Sequence, residues 1–156
     1  MIQLKIFDGI NPLDHQVILD KYFTRRTYNA NEEIVKKGDS GEEMFILLEG
    51  TAKVKVSGRV YIDLNPGEVF GEFCLIDSGT RNASIYAGTT AILSVLDRNA
   101  FDLFLKERPQ DASIFLLNIA RALVSRLRKS VETIRDTEMG LKQMQNLLLK
   151  LSLKSA

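Results

Sequence analysis

Eight of the ten glycines fall between residues 38 and 88, and none occurs from residue 89 to 139. Between those glycines the residues alternate: Ala52, Val54 and Val56 with Thr51, Lys53 and Lys55, then Val60, Ile62 and Leu64 with Arg59, Tyr61 and Asp63. Period-two alternation broken by closely spaced glycine turns is the pattern of short antiparallel strands in a sandwich or barrel. Ser57-Gly58 and Asn65-Pro66-Gly67 supply the turn chemistry, glycine taking the positive φ that such turns need. The pattern predicts strands at about 24–29, 33–37, 43–49, 52–57, 60–64, 82–87 and 91–96. The interval from Gly67 to Gly79 interrupts this rhythm and does not read as a strand.

Helices flank the β region. Asn11 before Pro12 is an N-cap with proline at the first helical position, opening a helix through about Tyr22. A second helix starts near Arg98, and Pro109 opens a third that runs almost to the end. The fold class is therefore mainly β with flanking helices, a β domain over residues 1–110 followed by a helical segment over 111–156. Along that segment Leu117, Ala120, Val124, Leu127, Val131 and Ile134 repeat at alternating spacings of three and four, an a/d seam. Past Ile134 the strict phase reaches Glu138 and Gln145, whereas a shift of one residue yields Thr137, Leu141, Met144, Leu148 and Leu151. A phase break is expected beside Gly140, as a change of supercoil or a kink. Twenty-five residues at ~1.5 Å rise make about 38 Å, more than a small barrel can cover. The exposed remainder calls for a partner, and a symmetric homodimer is the expected one.

Composition narrows the classes. A hydrophobic fraction of 45% and a charged fraction of 26% describe a globular chain, neither disordered nor collagen-like. The net charge is +1, but residues from Arg121 onward carry eight bases against three acids, so the tail is +5 and the rest −4. On a long helix such a basic run reads first as a solvated face. One cysteine, Cys74, and one histidine, His15, exclude a disulfide, a Cys-rich zinc site and an iron–sulfur cluster, and no metal is expected. His15 reads as an ordinary surface or helix-end residue, and Cys74 as packing. Residues 1–6 lack the apolar run of a signal peptide and no window is long enough to span a bilayer, so the expected location is the cytoplasm, with no membrane partner.

Residues 67–83 carry the chemistry. Gly71 can form a tight turn into one helical turn, whose first N–H groups lack intrahelical partners and suit a phosphate. Arg81 offers a planar donor fork for phosphate oxygens, and Glu72, nine residues earlier, can accept a hydrogen bond from a sugar hydroxyl. A bland reading stands beside this one: Glu72 as a first-turn acid, Arg81 as a surface partner of Asp77, Gly71 as only a turn.

The stretch resembles the phosphate-binding cassette of the cyclic-nucleotide-binding domain family: Phe-Gly-Glu, a small or apolar pair, Leu, a loop, then Arg-small-Ala. Phe70, Gly71, Glu72, Leu75, Arg81 and Ala83 fit it without an insertion. Lys37-Gly38-Asp39 and Met44-Phe45-Ile46-Leu47-Leu48-Glu49-Gly50 also resemble the family's early strands and glycine turn, and the similarity runs from about Phe7 into the C-terminal helix. The resemblance implies a cyclic-nucleotide-binding β-jelly-roll plus a long C-terminal helix. It implies that Glu72 holds the ribose 2′-hydroxyl, that Arg81 holds the cyclic phosphate, and that N–H groups around Phe73 and Cys74 add to it. It further implies that the base meets a residue of the long helix, for which Ser130 is the candidate. Asn82 departs from the family, where the resemblance implies that a hydroxyl often favours guanine and alanine adenine, so it leaves the base choice open; cyclic AMP is expected ahead of cyclic GMP.

The expected function is a cyclic-nucleotide sensor, not an enzyme, that relays binding through the C-terminal helix to an unknown downstream protein, with Leu141–Leu153 as the docking stretch. Two alternatives come from other classes. One is a dimeric interaction module that no longer binds nucleotide. The other is a fragment of a catabolite-activator-type transcription regulator; residues 141–156 are too few for a helix-turn-helix, so DNA is not an expected partner.

Overall fold

The computed structural model describes residues 4–56, 59–77 and 79–154. After a 3-10 turn at Lys5–Phe7 come α1 (Pro12–Tyr22), β1 (Thr24–Tyr28), β2 (Glu33–Val35), β3 (Glu43–Glu49), β4 (Ala52–Val56) and β5 (Arg59–Leu64). Then follow β6 (Val69–Phe70), α2 (Phe73–Ile76), β7 (Ser84–Ala87), β8 (Ala91–Asp97), α3 (Arg98–Glu107) and α4 (Pro109–Lys154). The strands form two four-stranded sheets, ordered β1-β8-β3-β6 and β2-β7-β4-β5, and every pairing is antiparallel. This is the jelly-roll sandwich that the alternation and the resemblance predict. The chain divides into two compact units, Met1–Asn118 and Ile119–Ala156.

In the first unit the two sheets meet over one apolar layer. Phe45, Leu47, Phe70, Leu93 and Val95 come from one sheet, and Val35, Ala52, Leu64, Ile85 and Ala87 from the other. Met44 through Leu47 are all buried. Because successive strand residues point to opposite faces, β3 must be covered on both sides. Outside the sheets, Phe7, Phe104 and Phe115 are fully buried, with ring centroids 5.6 Å apart for Phe7–Phe115 and 5.7 Å for Phe104–Phe115. Asn118 completes this cluster by donating to Ile6 O (3.0 Å) and Asp8 O (2.8 Å). Ala112, Phe115 and Asn118 are buried, so the opening turns of α4 pack within the first unit.

Several sequence expectations need correction. Val69–Phe70 is a strand, paired with Ile46 and Phe45 of β3; two residues are too few to show a period, and the stacking of Phe70 on Phe45 (5.0 Å) identifies it only in three dimensions. Ile62 is 58% exposed although the alternation turns it inward with Leu64. It lies on β5, the outermost strand of its sheet, where the core includes Leu64 but stops short of Ile62. The Ser57-Gly58 turn and the Val60 side chain lie outside the described residues. His15 lies near the start of α1, as its helix-end alternative expects, but it is half-buried: its ring stacks on Phe7 (5.3 Å) and Nε2 lies 3.0 Å from Ile10 O. Asn11 accepts from Leu13 N–H at 3.1 Å, as an N-cap should.

The second unit is a single helix. α4 continues through Gly140 without interruption, so the change of apolar phase there is no helix end. Val124, Leu127, Val131, Ile134, Leu141, Met144 and Leu148 are exposed along it. No helix among the described residues is long and apolar enough to cross a membrane.

Candidate functional site

The candidate site is assembled around Arg81, whose position is set by its main chain before its side chain acts. Arg81 N–H donates to Asp39 O (2.9 Å), Gly38 N–H donates to Arg81 O (2.9 Å), and Ser40 bridges Thr80. The Lys37-Gly38-Asp39 turn therefore clasps the loop that carries the arginine into β7. The guanidinium turns inward, leaving the residue 8% exposed. Its NH1 donates to Glu43 O at 2.8 Å and lies 3.4 Å from Gly71 O, while Cζ sits 5.7 Å from the centre of the Phe45 ring. Nε and NH2 make no protein hydrogen bond among the described residues. One nitrogen thus fixes the fork, and the other edge retains two parallel donors. That edge matches the geometry of a bidentate oxyanion.

Two glycines make room for this arrangement. Gly71 has φ +77°, and a Cβ there would stand 2.7 Å from Arg81 NH1 and 2.8 Å from Glu43 O. At Gly41 a Cβ would run into the guanidinium itself, meeting Nε, Cζ and NH2. The bland reading of Arg81 as a surface partner of Asp77 is overturned, since the side chain is buried and held by main-chain carbonyls.

Beyond Gly71 the chain makes the single turn of α2. Glu72 precedes it and is 1% exposed, an uncommon state for a carboxylate. Cys74 and Leu75 point inward, and Phe73 and Ile76 are exposed. Leu75 N–H donates to Glu72 O (3.1 Å) and Cys74 N–H to Gly71 O (3.2 Å), so both of these first-turn donors are engaged within the turn. At the other end, Arg98 NH2 donates to Cys74 O. Asn82 is exposed beside Arg81, and Ala83 is half-buried. Of the expected site residues, Gly71 and Arg81 are joined directly, through Gly71 O and Arg81 NH1. Ser130 belongs to the second unit, and its hydroxyl donates to Arg126 O on its own helix (3.0 Å).

Sequence reasoning missed Gly41, the Glu43 carbonyl and Arg98. A carbonyl leaves no trace in a residue's identity, and the separation of Gly41 from Arg81 along the chain hides their contact. Arg98 read only as a helix start. Among the described residues no group of three or more His, Cys, Asp or Glu is placed to hold a metal.

Comparison with known proteins identifies the family and the fold. Residues 25–108 match the family described as "Cyclic nucleotide-binding domain". The chain is 32% identical over 130 residues to the cyclic AMP receptor protein of Thermus thermophilus, covering 80% of this chain and 58% of that protein. It is 29% identical over 89 residues to the cGMP-dependent protein kinase egl-4 of Caenorhabditis elegans, covering 57% of this chain and 11% of the kinase. The crystal structure of the Thermus thermophilus catabolite activator protein superimposes with a TM-score of 0.71 at 30% identity, covering 88% of this chain and 62% of that one. The chain therefore spans less than two thirds of these relatives.

Proposed function

The chain belongs to the cyclic nucleotide-binding domain family, and on that premise we propose that it is a cyclic-nucleotide sensor whose ligand sits against residues 71–83. In this reading Arg81 takes the cyclic phosphate through Nε and NH2, and Glu72 accepts the ribose 2′-hydroxyl. The observation that carries it is the buried guanidinium with one nitrogen fixed by Glu43 O and, among the described residues, no protein acceptor for Nε and NH2. A positive group withdrawn from water in this way is stabilised by an anion that supplies matched acceptors. Glu72 supplies the complementary acceptor for a sugar hydroxyl, so the two charges fit a ligand that is at once hydroxylated and anionic.

Cyclic AMP is the proposed ligand ahead of cyclic GMP. The relatives include both a cyclic AMP receptor and a cGMP-dependent kinase, and the exposed Asn82 is the residue through which the base would be chosen. The exposed apolar residues of α4 support a homodimer formed through that helix, with the stretch from Leu141 onward relaying the ligand state to a downstream protein in the cytoplasm. We assign no catalytic role, since the reading needs only binding and a biased two-state arrangement.

Isothermal titration of the whole chain with cyclic AMP, cyclic GMP and cyclic di-GMP tests this directly. The expected result is saturable one-site binding of a cyclic mononucleotide, tighter for cyclic AMP. No heat and no thermal stabilisation at millimolar ligand would sink the sensor reading.

A further inference from the structure

The weakest element of the candidate site is α2. Four residues, Phe73–Ile76, make one turn, and an isolated helical turn has no stability of its own in water. The side chain of Glu72, at its N-cap, makes no capping hydrogen bond, and only Cys74 and Leu75 are buried among its four residues. Yet this turn carries the backbone between Glu72 and the loop that returns to Arg81, so its placement sets where the carboxylate stands.

Arg98 holds the far end of the turn. Its NH2 donates to the carbonyl of Cys74, one of the carbonyls near the C-terminal end of α2 that lack an intrahelical donor. A guanidinium there is also favoured by the partial negative charge of a helix end. Arg98 is itself well anchored. It is the first residue of α3, and the preceding Asp97 accepts from Ala100 N–H at 2.9 Å as the N-cap. Asp97 pairs with Glu43 across β8 and β3, and the Glu43 carbonyl is the group that fixes Arg81. Farther along α3, Phe101 and Phe104 are buried, and Phe104 packs on Phe115 at the start of α4 (5.7 Å). Two arginines therefore grip the segment from its two ends: Arg81 at the Gly71 side and Arg98 at the Cys74 carbonyl.

We propose that Arg98 is a positioning residue for nucleotide binding, holding α2 in its binding geometry through the Cys74 carbonyl. This rests on the sensor reading for its ligand but not for its contact. Arg98 touches no proposed ligand atom; it acts through α2, and it makes α3 the element that the ordering of α2 reports to.

The test uses the full chain with Arg98→Met, which keeps the apolar stem and removes the guanidinium, and Arg98→Lys, which restores a positive donor. Amide hydrogen exchange is followed without ligand, and cyclic AMP affinity by titration. In Arg98→Met the α2 amides are expected to exchange at least about tenfold faster than in the wild type, while β3 and β8 amides keep their rates. The dissociation constant for cyclic AMP is expected to rise about tenfold, with Arg98→Lys between the two. Unchanged α2 exchange, or an unchanged dissociation constant, in folded Arg98→Met overturns the proposal. Loss of the fold in both variants also overturns it, by assigning Arg98 to the core. If the wild type binds no cyclic nucleotide, the sensor reading fails instead, and the exchange arm still decides whether Arg98 holds α2.

Discussion

Residues 70–83 and the part of α4 beyond Asn118 break the ordinary rule of burial in opposite directions. In the first region two charged side chains, Glu72 and Arg81, are 1% and 8% exposed. In the second, Leu127, Val131, Ile134, Leu141, Met144 and Leu148 are each more than half exposed. Polar groups are normally left in water and large apolar ones withdrawn from it, and in the proposed reading each region is completed by something else. The difference lies in what completes it. A buried cation with donors unspent among the described residues asks for a small anion with fixed geometry, whereas a long apolar stripe asks for area. The first region is also determined in detail by its own contacts, with Arg81 fixed through main chain and side chain alike. The second is determined by its period.

The comparison breaks most readily at the helix. Replacing Leu127 and Ile134 by glutamate places charge on the proposed seam, and the dimer dissociation constant should rise at least about hundredfold. Sedimentation equilibrium checks this; an undiminished dimer would show that α4 is not the contact. Arg81→Ala should act in the other region alone. A charge-assisted hydrogen bond contributes about 1.5–3 kcal/mol, so cyclic AMP binding should weaken between about tenfold and hundredfold while the sedimentation stays that of the wild type.

The glycines sharpen the comparison further, because they separate ligand geometry from fold stability within one site. At Gly41 the atoms nearest the added methyl all belong to the end of the Arg81 side chain. Gly41→Ala should therefore displace the guanidinium, weakening cyclic AMP binding about tenfold with little change in Tm. At Gly71 it meets the Glu43 carbonyl at a residue with φ +77°, and Gly71→Ala should cost about 1–2 kcal/mol of stability before any ligand is added. Equal losses of Tm in the two variants would contradict this division.

The smallest effect lies away from both regions. Lys21 Nζ and Tyr22 OH each stand 2.7 Å from Glu107 Oε2, and the Lys21 hydrogen bond, then that of Tyr22, holds the Glu107 carboxyl below its ordinary value of 4.5. A lowered folded pKa stabilises the fold above the unfolded value, and that contribution is lost as pH falls through the folded one. Glu107→Gln should flatten a slight loss of Tm below pH 4.5 and leave cyclic AMP binding unchanged.

How much of this was legible in the sequence depends on the range of the interaction. The alternation along β4 and β5, punctuated by glycine turns, reports a local period, so strands could be drawn before any contact was known. β6 escaped because two residues carry no period. Ile62 escaped because an edge strand can extend past the core that its alternation implies. At the site, Gly71, Glu72 and Arg81 stood out as residue types in a recognisable order. What holds Arg81 did not, since Gly41 and the Glu43 carbonyl reach it from far along the chain and one of them is main chain. The same holds for Arg98, whose contact is with a carbonyl of another element.

The most direct test of the central claim is to titrate the intact chain with cyclic AMP and, side by side, with adenosine, which keeps the base and the ribose 2′-hydroxyl but has no phosphate. If Arg81 supplies the anion site, cyclic AMP should bind at least about tenfold more tightly than adenosine, the equivalent of about 1.4 kcal/mol or more. Equal affinities, or adenosine binding where cyclic AMP does not, would contradict the account.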